Sequence, residues 1–130
     1  LEILKKAIVL RKDTSSGSYR DVVKEVMAYI DDNFSDDELS LNKLAAHVNF
    51  SPNHLSAVFR QETGQTFIKY LTDYRLEKAK EMLLGTSKKS AEISLLVGYK
   101  DPHYFSYLFK KTQGMTTTQY RGRSKEEAAE

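Results

Sequence analysis

The sequence predicts an all-α fold: about seven helices arranged as two helix-turn-helix subdomains joined by a long linker helix. Three observations carry this. Apolar residues recur at helical rather than alternating spacing through most of the chain. A segment of the second half repeats one of the first at a fixed offset. Ser51-Pro52 and Asp101-Pro102 each pair a helix-capping residue with a proline at the first helical position, and Gly64, Gly85 and Gly114 stand where helices are expected to stop.

The elements follow in order. Leu1, Leu4 and Ile8 form a short amphipathic piece, and Asp13-Thr-Ser-Ser-Gly-Ser18 reads as a linker, so residues 1–18 are set apart as an N-terminal linker segment. Ser18 followed by Asp21 resembles a capping box. Val22, Val23, Val26, Met27 and Ile30 then line one helical face that ends near Asn33. Ser40 caps a short helix with Leu41, Leu44, Ala45 and Val48 on its apolar side, and Asn49-Phe50 is a tight turn. The helix from Pro52 buries Leu55, Val58 and Phe59 and stops before Gly64, which bounds a first helix-turn-helix at 40–63. A linker helix over 66–84 carries Phe67, Tyr70, Leu71, Tyr74, Ala79, Met82 and Leu83. With no internal Pro or Gly it is expected to be a rod of about 28 Å, long enough to serve two adjacent major-groove segments. A second helix-turn-helix occupies 90–113, and 122–130 is a polar tail expected to fray from Ser124.

The duplication is specific. Pro52, Ser56, Phe59, Gly64, Thr66 and Tyr70 recur, 50 residues later, as Pro102, Ser106, Phe109, Gly114, Thr116 and Tyr120. In each copy a first helix braces a second, and the second must be two-faced. In Pro52–Gln61 the outward side is Asn53, Ser56, Ala57, Arg60 and Gln61. In Pro102–Lys111 it is His103, Tyr104, Ser106, Tyr107, Lys110 and Lys111. Small or polar outward residues leave room for base edges. Two outward tyrosines point to a contact, the plainer alternative being that one of them, Tyr104 before Tyr107, packs on the neighbouring helix.

Charge supports the same direction. The chain is +2 overall, but residues 41–121 hold 12 Lys/Arg against 6 Asp/Glu, and the flanks are acidic. A basic middle suits phosphate. There is no cysteine, hence no disulfide, thiolate metal site or thiol nucleophile. No apolar run spans a membrane, and no signal peptide is read. The chain does not begin with Met and reads as a piece of something longer.

Against this background, Leu41-Asn-Lys-Leu-Ala-Ala-His-Val-Asn-Phe-Ser-Pro-Asn-His-Leu-Ser-Ala-Val-Phe-Arg60 resembles the first helix-turn-helix of AraC/XylS transcription regulators. Gly64 to Leu71 with Arg75, Leu76 and Ala79 is similar to that family's linker helix. Val97-Gly-Tyr-Lys-Asp-Pro-His-Tyr-Phe-Ser-Tyr-Leu-Phe-Lys-Lys111 with Gly114 and Tyr120-Arg121 is similar to its C-terminal signature. The resemblance covers roughly residues 20–121 and implies a C-terminal DNA-binding domain over 19–121 that reads two half-sites of double-stranded DNA. It implies base contacts from Asn53, Ser56, Ala57, Arg60, His103, Tyr104, Ser106 and Tyr107. Ser51, Thr66, Lys69, Lys88, Lys89, Lys100, Lys110 and Lys111 are expected on phosphates. Arg75 is expected to be structural and to pair with an acid such as Glu92. Ser90, Ser94 and Thr117 stand where the family usually has a bulky aliphatic residue, Ala and Pro, so helix 90–97 is expected to be held less firmly.

Two other classes of function are weighed. An enzyme is disfavoured because His47, His54 and His103 are scattered and no phosphate loop or nucleophile elbow occurs. A helical protein–protein interaction module explains the helices but not the duplication or the basic middle. The expected protein is therefore a cytoplasmic transcription regulator, with activator as the expected class although the sequence does not separate activation from repression, and with no catalytic residue, metal or cofactor. The resemblance implies an upstream regulatory domain in the full-length chain, a sugar-binding barrel or, as the helical linker suggests, a two-component receiver; RNA polymerase is a further expected partner, and no membrane is expected.

Overall fold

The computed structural model describes residues 15–129, with side chains for 19–123. Among them are seven helices and no strand: α1 (Ser15–Asn33), α2 (Leu41–His47), α3 (Pro52–Thr63), α4 (Phe67–Gly85), α5 (Ser90–Leu96), α6 (Pro102–Gln113) and α7 (Thr117–Ala129). The amphipathic piece at 1–10 lies outside the described residues. Two expected boundaries change. α1 begins at Ser15, ahead of Ser18, which is therefore not its cap. One glycine costs a helix only about 1 kcal/mol relative to alanine, and Gly17 does not stop this one. The tail expected to fray at Ser124 remains helical to Ala129, since the residues after Gly122 include no proline and good helix formers.

The chain divides into two compact units. The first comprises the described residues up to Asp32 with Ser40–Tyr70, and the second Asn33–Leu39 with the residues from Leu71 on. In the first, Val23, Val26 and Ile30 of α1, Leu44 and Ala45 of α2, and Leu55, Val58 and Phe59 of α3 are buried. Phe59 meets Phe67 and Tyr70 edge-on at 6.4 and 5.5 Å. In the second, Leu76, Ala79 and Leu83 of α4 pack with Ile93, Val97, Phe105 and Phe109.

The duplicated sequence produces duplicated local structure. Ser51 Oγ accepts the His54 N–H at 3.1 Å, and Asp101 Oδ1 accepts the His103 N–H at 2.9 Å. α3 and α6 end on Gly64 and Gly114, both with φ near +80°. Thr66 and Thr116 accept the N–H of Lys69 and Gln119 at 3.1 and 3.0 Å. The turns close identically, Phe50 N–H to Ala45 O and Tyr99 N–H to Ser94 O, each 2.9 Å. Helix-capping chemistry is local, so it repeats wherever the sequence does.

The second unit is held by contacts of a different kind. Buried Arg75 donates from Nε to Phe34 O at 2.9 Å and from Nη2 to Asp36 O at 2.8 Å, with its guanidinium 5.2 Å from the Tyr99 ring. This corrects the expected pairing with Glu92, which instead meets Lys88 at 3.4 Å on an exposed face. Chain carbonyls leaving α1 present acceptors to the fork, and a neutral acceptor satisfies a buried cation's donors as a carboxylate would. Burial raises the Tyr99 hydroxyl's pKa, while the Arg75 charge and bonds with Thr72 and Arg75 pull it back. Arg121 donates to Leu83 O and Thr86 O at 2.8 and 3.0 Å, closing the end of α4. Ser94 is fully buried, and its hydroxyl donates to Tyr99 O at 3.0 Å, tying α5 to its turn. This bond gives α5 an anchor that its aliphatic deficit at Ser90 had put in question. Unlike Ser40, which accepts the Lys43 N–H at 3.1 Å, Lys89 offers α5 no side-chain cap.

Candidate nucleic-acid interface

α3 and α6 are both amphipathic, and burial fixes which face of each is left outward. Leu55, Val58 and Phe59 are 0–2% exposed. At helical spacing that turns Asn53, Ser56, Ala57, Arg60 and Gln61 to solvent, and all five are exposed. In α6, Phe105 and Phe109 are fully buried and Leu108 half-buried. His103, Tyr104, Ser106, Tyr107, Lys110 and Lys111 are exposed. The structure thus brings the expected base-contacting residues together on one helix face per unit. The expected phosphate contacts Ser51, Thr66, Lys69, Lys88, Lys89 and Lys100 are exposed around the helix starts and loops.

The outward tyrosines are linked. Tyr104 is 51% and Tyr107 58% exposed. Their centroids are 6.4 Å apart, Tyr104 also lies 6.0 Å from Tyr99, and Lys111 Nζ sits 5.7 Å from the Tyr107 ring. Tyr104 therefore leans on the turn rather than on a neighbouring helix, and keeps half its surface outward.

The first unit repeats this pairing with other residues. His54 stacks on Phe50 at 4.3 Å with an interplanar angle of 6°, and its Nε2 lies 3.3 Å from the Tyr19 hydroxyl. Phe50 occupies the turn position of Tyr99, and His54 the helix position of Tyr104. Sequence reasoning weighed His54 only for metal spacing and left it out of the interface. The 50-residue offset that aligns it with Tyr104 was the signal available.

Among the described residues no cluster of three His, Cys, Asp or Glu side chains could hold an ion. His47 instead faces Glu25 at 3.5 Å and the Tyr29 ring at 4.5 Å. No helix of the described residues is long and apolar enough to cross a membrane.

Comparison with known proteins agrees with the geometry. A family model described as a helix-turn-helix domain matches residues 44–123. The arabinose operon regulatory protein of Escherichia coli K12 is 35% identical over 99 residues, 76% of this chain and 34% of its own. The chain spans about a third of the length of the first curated relatives it matches. Among solved structures, the C-terminal domain of AraT, a response regulator from Geobacillus stearothermophilus, superposes with TM-score 0.77 at 43% identity, covering 78% of this chain and 84% of that one. The C-terminal domain of the two-component response regulator yesN from Fusobacterium nucleatum gives 0.74 at 36% identity, covering 75% and 95%.

Proposed function

The chain belongs to the AraC-type family of helix-turn-helix transcription regulators, and from that membership we propose how its two units divide the work on DNA. It binds double-stranded DNA sequence-specifically, with α3 and α6 as recognition helices, one per unit. Asn53, Ser56, Ala57 and Arg60 read one block of bases, and His103, Tyr104, Ser106 and Tyr107 read another. Ser51, Thr66, Lys69, Lys88, Lys89, Lys100, Lys110 and Lys111 anchor phosphates. The observation that carries this reading is the twice-built helix with one buried apolar face and one outward polar face, each opened by a capping side chain and a proline and closed on a left-handed glycine. The chain serves as the output part of a longer cytoplasmic regulator whose upstream domain receives the signal. The similarity to C-terminal domains of response regulators favours a phosphorylated receiver there, and RNA polymerase is the partner an activator would engage.

Two expectations test the assignment. Six of the anchoring residues are lysines. If all six neutralise phosphates, log affinity falls against log salt with a slope of about −5, at −0.9 per phosphate. Fluorescence anisotropy over a salt series measures it, and binding indifferent to salt contradicts the basic interface.

The second separates reading from anchoring. Asn53→Ala and His103→Ala are each expected to cost about 1–3 kcal/mol on the preferred site and to relax preference at a few adjacent base pairs. Lys89→Ala is expected to weaken all sequences alike. Selection of binding sites from a random duplex pool with each variant reads both effects. An equal loss on every sequence for Asn53→Ala would mean that it anchors rather than reads.

A further inference from the structure

We propose that His54 is a further DNA contact of the first unit: a ring clamped by Tyr19 and Phe50 so that Nδ1–H donates to a backbone phosphate oxygen. The proposal rests on α3 being the recognition helix of that unit. The side chain stands in the first turn of α3, next to Asn53, and is exposed. Its backbone N–H is already taken by Ser51 Oγ, so any ligand must be met by the ring.

Two contacts fix that ring. Phe50 lies parallel to it at 4.3 Å and covers one face. Tyr19, from α1, approaches edge-on at 5.7 Å and brings its hydroxyl 3.3 Å from Nε2. Nδ1 has no protein partner among the described residues. Rotamer freedom of an exposed histidine is thereby already reduced before DNA arrives, which lowers the entropic cost of the contact.

The Tyr19 hydroxyl is compatible with the tautomer that a phosphate requires. A hydroxyl can donate or accept, whereas a phosphate oxygen only accepts. The proton on one imidazole nitrogen is set by the bond the other makes. With Tyr19 donating to Nε2, the proton sits on Nδ1, the nitrogen left without a protein partner and the one a phosphate requires. If the imidazole becomes charged, Tyr19 accepts from Nε2–H instead and Nδ1–H is unchanged. The corresponding residue of the second unit, Tyr104, likewise leans on its turn aromatic and carries one outward donor, so each unit presents a braced polar ring at the same helix position. Phosphate is favoured over a base edge for His54 because its ring is tied back to α1 through the Tyr19 hydroxyl, a hydrogen bond that Tyr104 lacks among the described residues.

The test uses the 130-residue chain and a duplex selected from a random pool by the wild-type protein. His54→Ala and His54→Gln are expected to lower affinity about tenfold, the scale of one hydrogen bond to a charged group. The loss is the same on the selected duplex and on unrelated DNA. His54→Asn, whose amide nitrogen sits near the place of Nδ1, is expected to stay within about threefold of wild type. Tyr19→Phe keeps the ring but not the hydroxyl, and a loss of about threefold is expected. Replacing phosphates singly by methylphosphonate is expected to reveal one position that weakens wild type about tenfold and leaves His54→Ala unaffected. Nitrogen-15 NMR of the complex is expected to find the proton on Nδ1.

Equal losses for Ala, Gln and Asn, a loss confined to particular base pairs, no such phosphate, or an unprotonated Nδ1 in the complex each overturn the assignment. Asn53→Ala accompanies the series. If it changes sequence preference while the His54 variants bind as wild type, the His54 contact alone is wrong. If none of these variants affects binding, the reading of α3 falls with it.

Discussion

Gly98→Ala is expected to destabilise the second unit by about 3–5 kcal/mol, combining overpacking with backbone strain. Gly98 has φ +101°, a region that alanine adopts only with strain. A Cβ there would also stand 2.5 Å from Phe34 O and 2.8 Å from Arg75 Cζ and Nε. Neither neighbour can give way cheaply, because one is backbone and the other is the buried guanidinium bonded to Phe34 O and Asp36 O. Gly114→Ala is the control within the same unit. Its φ is +80°, with nothing within 4 Å of an added Cβ, so only the left-handed strain of about 1–2 kcal/mol is expected. Urea denaturation followed by amide exchange at Ile93, Val97 and Phe109 reports the unit concerned. Equal costs for the two variants would show that the close approach around Gly98 has no energetic weight. On DNA, Gly98→Ala is expected to abolish discrimination in the block read by α6.

Arg75→Ala is expected to cost about 3 kcal/mol or more. It takes the guanidinium from Phe34 O and from Asp36 O, which keeps the Leu39 N–H at 3.1 Å, and removes the cation from the Tyr99 ring. Arg75→Lys is expected to recover only part, since an ammonium lacks the planar fork that reaches both oxygens. Glu92→Gln separates the observed network from a pairing between Arg75 and Glu92. Among the described residues the Glu92 carboxylate meets only the exposed Lys88, and such pairs contribute about 0–1 kcal/mol. Thermal denaturation of the three variants decides. A large loss for Glu92→Gln, or none for Arg75→Ala, would return the acid to the role the carbonyls hold here.

The interface was legible in the sequence to the degree that it follows helical periodicity. Leu55, Val58 and Phe59 are apolar at spacing that can only bury one face, which assigned Asn53, Ser56, Ala57 and Arg60 to the other. The same holds for Phe105 and Phe109 against His103, Ser106 and Tyr107. For His54 the 50-residue offset to Tyr104 and the nearby Phe50 were in the sequence, but its partner on α1 was not. Tyr19 is 35 residues away, and no pattern along α3 announces it.

The helices, the caps at Ser40, Ser51 and Asp101, the glycine stops and the doubling of the unit were legible in the sequence. Each depends on residues within a turn or so of one another, and backbone geometry translates such neighbours directly into structure. Only the tertiary structure decided what Arg75 holds, why Gly98 must lack a side chain, where the buried Ser94 hydroxyl donates and how His54 is oriented. Arg75 finds its acceptors 41 and 39 positions away. Hydrogen-bond partners are chosen by proximity in space, and backbone carbonyls, which every residue carries, leave no mark in the sequence to say which of them a buried guanidinium will reach.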